Sequence, residues 1–107
     1  MIEKGDIIWL KKYDAQGHEM QGAHPALVIT PKIYNQASGK AIVCWITSKV
    51  HHYPFEVEIP KNLKIHGVIL SDNLNTIDWV ARKAEVAEKL PDEVFEDVVN
   101  KMKTLIF

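Results

Sequence analysis

Short apolar clusters alternate with polar stretches along most of the chain, and only the last segment changes period. Ile7, Ile8, Trp9 and Leu10 follow Gly5-Asp6 and give way to Lys11-Lys12, which predicts a first strand. The run Ala26-Leu27-Val28-Ile29-Thr30 lies between Pro25 and Pro31, residues that cannot donate ladder hydrogen bonds, and predicts a second. Because it precedes Pro25, His24 is biased toward extended backbone. Ala41 to Ile46 is apolar without alternation, the pattern of a strand buried on both faces. Phe55-Glu56-Val57-Glu58-Ile59 alternates strictly, so that strand keeps one wet face, and Pro60 closes it. Val68-Ile69-Leu70 and the segment around Arg82 to Val86 read as further short strands.

The polar stretches are the connections. Tyr13 to Ala23 carries two separate glycines, two acids and no periodicity, and a loop of that length in a compact domain is a functional candidate. Lys32 to Ala37 reads as a turn or short helix, Ser38-Gly39-Lys40 as a turn, and Lys49 to Tyr53 as a second polar loop. Beyond Pro91 the period becomes helical: Val94, Phe95, Val98, Val99, Met102, Leu105 and Ile106 recur at steps of three and four. Acids crowd the start of this segment, while Lys101 and Lys103 sit near its end, which complements a helix dipole and predicts a helix from Pro91 to Leu105. Together these elements describe an α+β fold, a small curled antiparallel sheet or SH3-like barrel capped by a C-terminal helix.

A chain of 107 residues makes one domain, 1–107, with a core large enough to need no disulfide or metal staple. No apolar run approaches the ~20 residues that span a bilayer. Met1-Ile2-Glu3-Lys4-Gly5 lacks the basic-then-apolar order of a signal peptide, so the expected location is the cytoplasm. The single cysteine, Cys44, lies in an apolar run and reads as a buried, inert thiol. A net charge of −1 weakens any attraction to nucleic acid by global charge, so an RNA site has to be a local patch.

Five segments stand in a fixed order: Gly5-Asp6-Ile7-Ile8-Trp9, Gly17-His18-Glu19, Gly22-Ala23-His24-Pro25-Ala26-Leu27-Val28, Ile46-Thr47-Ser48 and Tyr53-Pro54-Phe55-Glu56-Val57. In this order and spacing the chain resembles the MazF/PemK (Kid-type) family of ribosome-independent RNA-cleaving toxins from bacterial toxin-antitoxin pairs. The resemblance implies the SH3-like barrel of the Kid, MazF and CcdB toxins, cleavage of single-stranded mRNA at short sequences, a homodimer, a cognate antitoxin partner and no cofactor. It also exposes a departure. The family reads Gly-His-Arg-Pro where this chain has Ala23 and His24 before Pro25, and Trp45 replaces a proline common in the family.

RNA cleavage of this kind needs no protein nucleophile, because the ribose 2′-OH attacks its own phosphorus. The protein supplies a base for that hydroxyl, an acid for the leaving 5′-oxygen and donors for the phosphorane charge. By resemblance Thr47 stabilises the reacting phosphate, and His24 takes the place of an arginine that serves acid/base chemistry. Imidazole, whose unperturbed pKa lies near ~6.5, is a better proton shuttle near neutrality than guanidinium and a poorer phosphate clamp. An active enzyme with a bell-shaped pH profile, an enzyme with altered substrate choice and an inactive relative all follow from that exchange. Glu19 matches an acidic position near the family's site and reads either as an orienting acid for His24 or as a solvated loop acid. His18 reads as positioning. Lys49, His51 and His52 follow Thr47 and place positive potential beside the phosphate, and Arg82 is the candidate for the missing cation, unless it pairs with Asp78 or Glu85. His51-His52 lacks a further ligand at metal spacing. Trp9, Trp45 and Trp79, inside apolar strands, read as core rather than base-stacking surfaces. Two rival functions accompany the toxin nuclease: a catalytically silent binding module, and a CcdB-like inhibitor of a protein target such as gyrase.

Overall fold

The computed structural model describes residues 1–11 and 23–107. Its elements are β1 (Asp6–Lys11), β2 (Ala23–Val28), α1 (Lys32–Ser38), β3 (Lys40–Thr47), β4 (Glu56–Glu58), β5 (Val68–Asp78), β6 (Glu85–Lys89) and α2 (Asp92–Ile106). The strands form one antiparallel sheet in the order β4-β5-β3-β2-β1-β6. This sheet is curled into a half-barrel, with α2 packed against β5 and β4, so the α+β class expected from the patterning holds.

Both faces of the central strands are buried, which explains their lack of polar alternation. Ile7, Leu27, Cys44 and Ile46 face a cluster completed by Val98 and Met102 of α2. Ile8, Ala26, Val28, Ala41 and Val43 face a second cluster, completed by Ile2 and Ile77 and flanked by Trp79. Asn35, fully buried in α1, ties that second face together. Its amide donates to the Ile2 and Thr30 carbonyls at 3.2 and 3.0 Å, and its backbone carbonyl accepts the Trp79 indole N–H at 2.9 Å.

Four expectations are corrected. Strand β2 begins at Ala23 rather than after Pro25. Pro25 is tolerated inside it because pairing with β3 starts only at Ala26, so β2 has a neighbour on one side there. The short strand at Val68-Ile69-Leu70 continues to Asp78, because Lys40 to Cys44 of β3 pair with Leu74 to Asp78 and outweigh the poor strand propensity of Ser71-Asp72-Asn73. Arg82 lies in the turn before β6, not in a strand. Trp9 is 38% exposed, whereas Trp45 and Trp79 pack against the second core cluster as expected. The long-loop expectation for Tyr13 to Gly22 lies outside the described residues.

The pairing of β3 with β5 slips at Trp45: Cys44 opposes Leu74, yet Ile46 opposes Ile69. The surplus residues of β5 bulge outward, with Ser71 bonded to the Phe55 carbonyl instead of to β3. Past the slip, Gly67 sits against the end of β3 at φ +125, and a Cβ there would lie 2.3 Å from the Thr47 carbonyl oxygen. Only glycine permits that contact.

Gly67→Ala should therefore destabilise the fold by about 3 kcal/mol and lower Tm by more than about 10 °C, read by thermal denaturation; a change within about 2 °C would contradict the contact. Burial, with a smaller contribution from the negative charge of Asp72, pushes the Cys44 thiol up from 9.0 to about 12. The folded state thus holds that proton more tightly than the unfolded chain. Its contribution to stability is full below pH 9 and is lost as pH rises toward about 12. Native protein should resist iodoacetamide at pH 7.5 and react only when unfolded, as mass spectrometry of the alkylated chain would report.

Candidate active site

The register of β2 and β3 brings the two principal candidates together. Ala26 and Trp45 are partners, and a step of two residues outward along each strand places His24 and Thr47 on the same face. Both line a cavity of about 450 Å³ with Trp45, Leu70, Asn73 and Arg82. Both also line a second cavity, of about 380 Å³, with Trp9, Ser48, Lys64 and His66. Residues separated by a helix and most of two strands thus converge on one space.

Trp45 organises the first cavity. The His24 ring meets its indole edge-on, with centroids 5.9 Å apart and planes at 73°. The Arg82 guanidinium lies over the same indole at 5.6 Å. The indole N–H donates to Asn75 Oδ1 at 2.9 Å, and Arg82 Nε donates to the Lys11 carbonyl at 3.2 Å, which fixes both partners of the stack. Among the described residues Arg82 forms no ion pair with Asp78 or Glu85; Asp78 instead accepts the Ala81 N–H. The guanidinium keeps its charge beside the cavity that His24 and Thr47 share.

Thr47 Oγ1 accepts the Lys49 backbone N–H at 3.1 Å, which caps the strand end. That bond fixes its position and leaves the hydroxyl proton free to donate. On the far side, the Glu88 carboxylate accepts the N–H groups of Lys64 and Ile65 at 3.0 and 2.8 Å. It thereby holds the loop that carries Lys64 and His66 against the mouth of the second cavity.

The remaining candidates are placed as follows. Lys49 contributes its backbone N–H to Thr47, and its side chain lines neither cavity. His51 and His52 line a third cavity of about 620 Å³ with Tyr53, Glu56 and Asp72. Leu70 and Asn73 border this cavity as well as the His24 cavity, so the two adjoin as one groove lined by the β5 bulge. Glu56 shapes that loop by accepting the His51 N–H at 3.1 Å. Asp72, as hydrogen-bond acceptor and neighbouring charge, holds the Tyr53 phenol above its usual pKa of 10.0. His18 and Glu19 lie outside the described residues.

Trp9, Leu70, Asn73, Lys64 and His66 were not among the candidates that sequence patterning suggests. Their local signals are those of strand and turn residues, and only the long-range pairing of β3 with its neighbours brings them to the site. Trp9, expected as core, instead walls the second cavity, and Trp45 both packs against the second core cluster and walls the first cavity.

Comparison with known proteins gives one consistent answer. Residues 3–106 match the family described as PemK-like, MazF-like toxin of type II toxin-antitoxin system. Endoribonuclease toxin MazF from Escherichia coli K12 is 32% identical over 104 residues, covering 97% of this chain and 93% of the relative. Endoribonuclease PemK from Escherichia coli is 30% identical over 110 residues, covering 98% and 82%. The MazE-MazF structure (Form-II) from Deinococcus radiodurans superposes with a TM-score of 0.92 at 37% identity, covering 98% of this chain and 95% of that one. The chain thus belongs to the PemK-like, MazF-like toxin family of type II toxin-antitoxin systems.

Proposed function

We propose that this protein is an endoribonuclease toxin that cleaves single-stranded RNA by attack of the substrate's own 2′-OH, without a metal ion. The observation that carries this reading is the convergence of His24 and Thr47 on two shared cavities beside the charge of Arg82. His24 exchanges protons with the reacting oxygens. The Thr47 hydroxyl donates to a non-bridging phosphate oxygen, in a place fixed by the Lys49 N–H. Arg82 supplies a permanent positive charge that an imidazole cannot, and does so from a different position along the chain than the family arginine. The 2′-oxygen bonds to phosphorus as the bond to the 5′-oxygen breaks, leaving a 2′,3′-cyclic phosphate and a 5′-hydroxyl.

The groove that runs from His24 past Leu70 and Asn73 to His51 and His52 suits the flanking nucleotides. It gathers three imidazoles and a guanidinium beside the carboxylates of Glu56 and Asp72, in a chain whose net charge is −1. The partners we assign are a cognate antitoxin, since the neighbouring structures include MazE-MazF complexes, and a second copy of the chain. Among the described residues no helix is long and apolar enough to cross a membrane, and the cytoplasm is the compartment where mRNA and antitoxin meet.

Incubating the purified protein with mixed-sequence RNA in EDTA, from pH 5 to 9, should give cleavage that His24→Ala lowers by about 10²–10⁴-fold. Arg82→Ala should raise KM and make affinity less dependent on salt. Binding without cleavage at every pH would replace the enzyme with a silent binding module.

A further inference from the structure

We propose that His66 is the second proton-transfer residue of this site, paired with His24 across Thr47. The inference rests on the endoribonuclease reading and extends it to a residue that neither the resemblance nor the comparisons assign.

Transesterification moves two protons at opposite ends of the phosphorane, one from the 2′-OH and one to the 5′-oxygen. A single imidazole serves one end at a time. His24 and His66 line the same cavity of about 380 Å³, with Thr47, Ser48 and Lys64 between and beside them. Of the chain's five histidines, the four within the described residues all line the groove or this cavity, a concentration that scattered surface histidines would not produce.

The fold sets their spacing. Strands β2, β3 and β5 are neighbours, with His24 in β2, Thr47 ending β3 opposite Val68, and His66 just ahead of β5. Two strand spacings, together with the two-residue step from Val68 back to His66, separate the backbones of the two histidines by roughly 12 Å. Allowing each imidazole a reach of ~2.6–3.2 Å, that span leaves room for a scissile diester held by the Thr47 hydroxyl.

His66 is also held in place. Gly67 closes against the Thr47 carbonyl on one side, and the Glu88 carboxylate binds the N–H groups of Lys64 and Ile65 on the other. Among the described residues, the charged groups facing the pair are Lys64 beside His66, Arg82 beyond Trp45 on the His24 side, and Glu88, whose two oxygens are engaged by the loop backbone.

In the reaction, the neutral member accepts the 2′-OH proton as the 2′-oxygen bonds to phosphorus. The protonated member gives its proton to the 5′-oxygen as that bond breaks. The pair ends with its protons exchanged and is reset by exchange with water.

The test compares wild type, His24→Ala, His66→Ala and His66→Gln on RNA in EDTA between pH 5 and 9. The second substrate is an RNA whose scissile 5′-oxygen is replaced by sulfur, a leaving group that needs no proton. Wild type should give a bell-shaped profile. Each alanine variant should lose a different limb of it with a fall of about 10²–10⁴-fold, and His66→Gln, which bonds but does not titrate, should behave as His66→Ala. The sulfur substrate should restore the rate of one histidine variant and not the other. Wild-type cleavage matched by His66→Ala in rate and profile, or a His66→Ala defect confined to KM, would overturn the pairing and leave the endoribonuclease reading intact. No cleavage by wild type on either substrate would overturn both.

Discussion

The slip in pairing between β3 and β5 at Trp45 is the constraint on which the site depends. A sheet paired in regular register from Lys40 to Thr47 would present a continuous pleated surface with no concavity. Here Cys44 and Ile46 oppose residues five apart on β5, and the chain between them bulges away from β3. Leu70 and Asn73 of that bulged segment become cavity walls, and Trp45 is left free to turn its ring toward His24 and Arg82. The slip is stable because each displaced group finds another partner: Ser71 bonds to Phe55, and the Trp45 indole to Asn75.

Electrostatics follow from that geometry rather than from composition. With a net charge of −1 the molecule as a whole does not attract RNA. Yet Arg82, Lys64 and four imidazoles line these hollows, while Glu56 and Glu88 spend their oxygens on backbone N–H groups and Asp72 accepts from the Tyr53 phenol. A field of this kind is short-ranged at physiological salt, where screening sets in within ~8 Å, so on the proposed reading it serves a phosphate already in the groove rather than distant RNA. On the proposed reading, the replacement of the family arginine by His24 divides two tasks: proton transfer beside Pro25, and permanent charge at Arg82, with Trp45 in contact with both.

The elements that were legible in the sequence are those whose burial is one-sided or complete. α2 shows its stripe because Val98 and Met102 face one cluster while its other side is wet. β3 shows an unbroken apolar run because both of its faces are covered. The far half of β5 was hidden, since Asn75 and Thr76 are exposed and only pairing with β3 makes them a strand, while Asp72 and Asn73 lie exposed in the bulge before it. At the candidate site, His24 and Thr47 stand out through the spacing of the segments around them, whereas His66 does not, because a His-Gly step ahead of an apolar run has the local signature of a turn. Its place beside Thr47 comes from a contact between Gly67 and the end of β3, and nothing local in either segment encodes that contact.

The central claim is that the protein moves protons and stabilises charge while the substrate supplies the nucleophile. Mass spectrometry of the ends left on a cleaved oligoribonucleotide, beside the same oligonucleotide with a single 2′-deoxy sugar 5′ of the scissile phosphate, tests it most directly. The account predicts a 2′,3′-cyclic phosphate and a 5′-hydroxyl from the first and no cleavage of the second at that position. A 3′-hydroxyl with a 5′-phosphate, or equal cleavage of both, would contradict it.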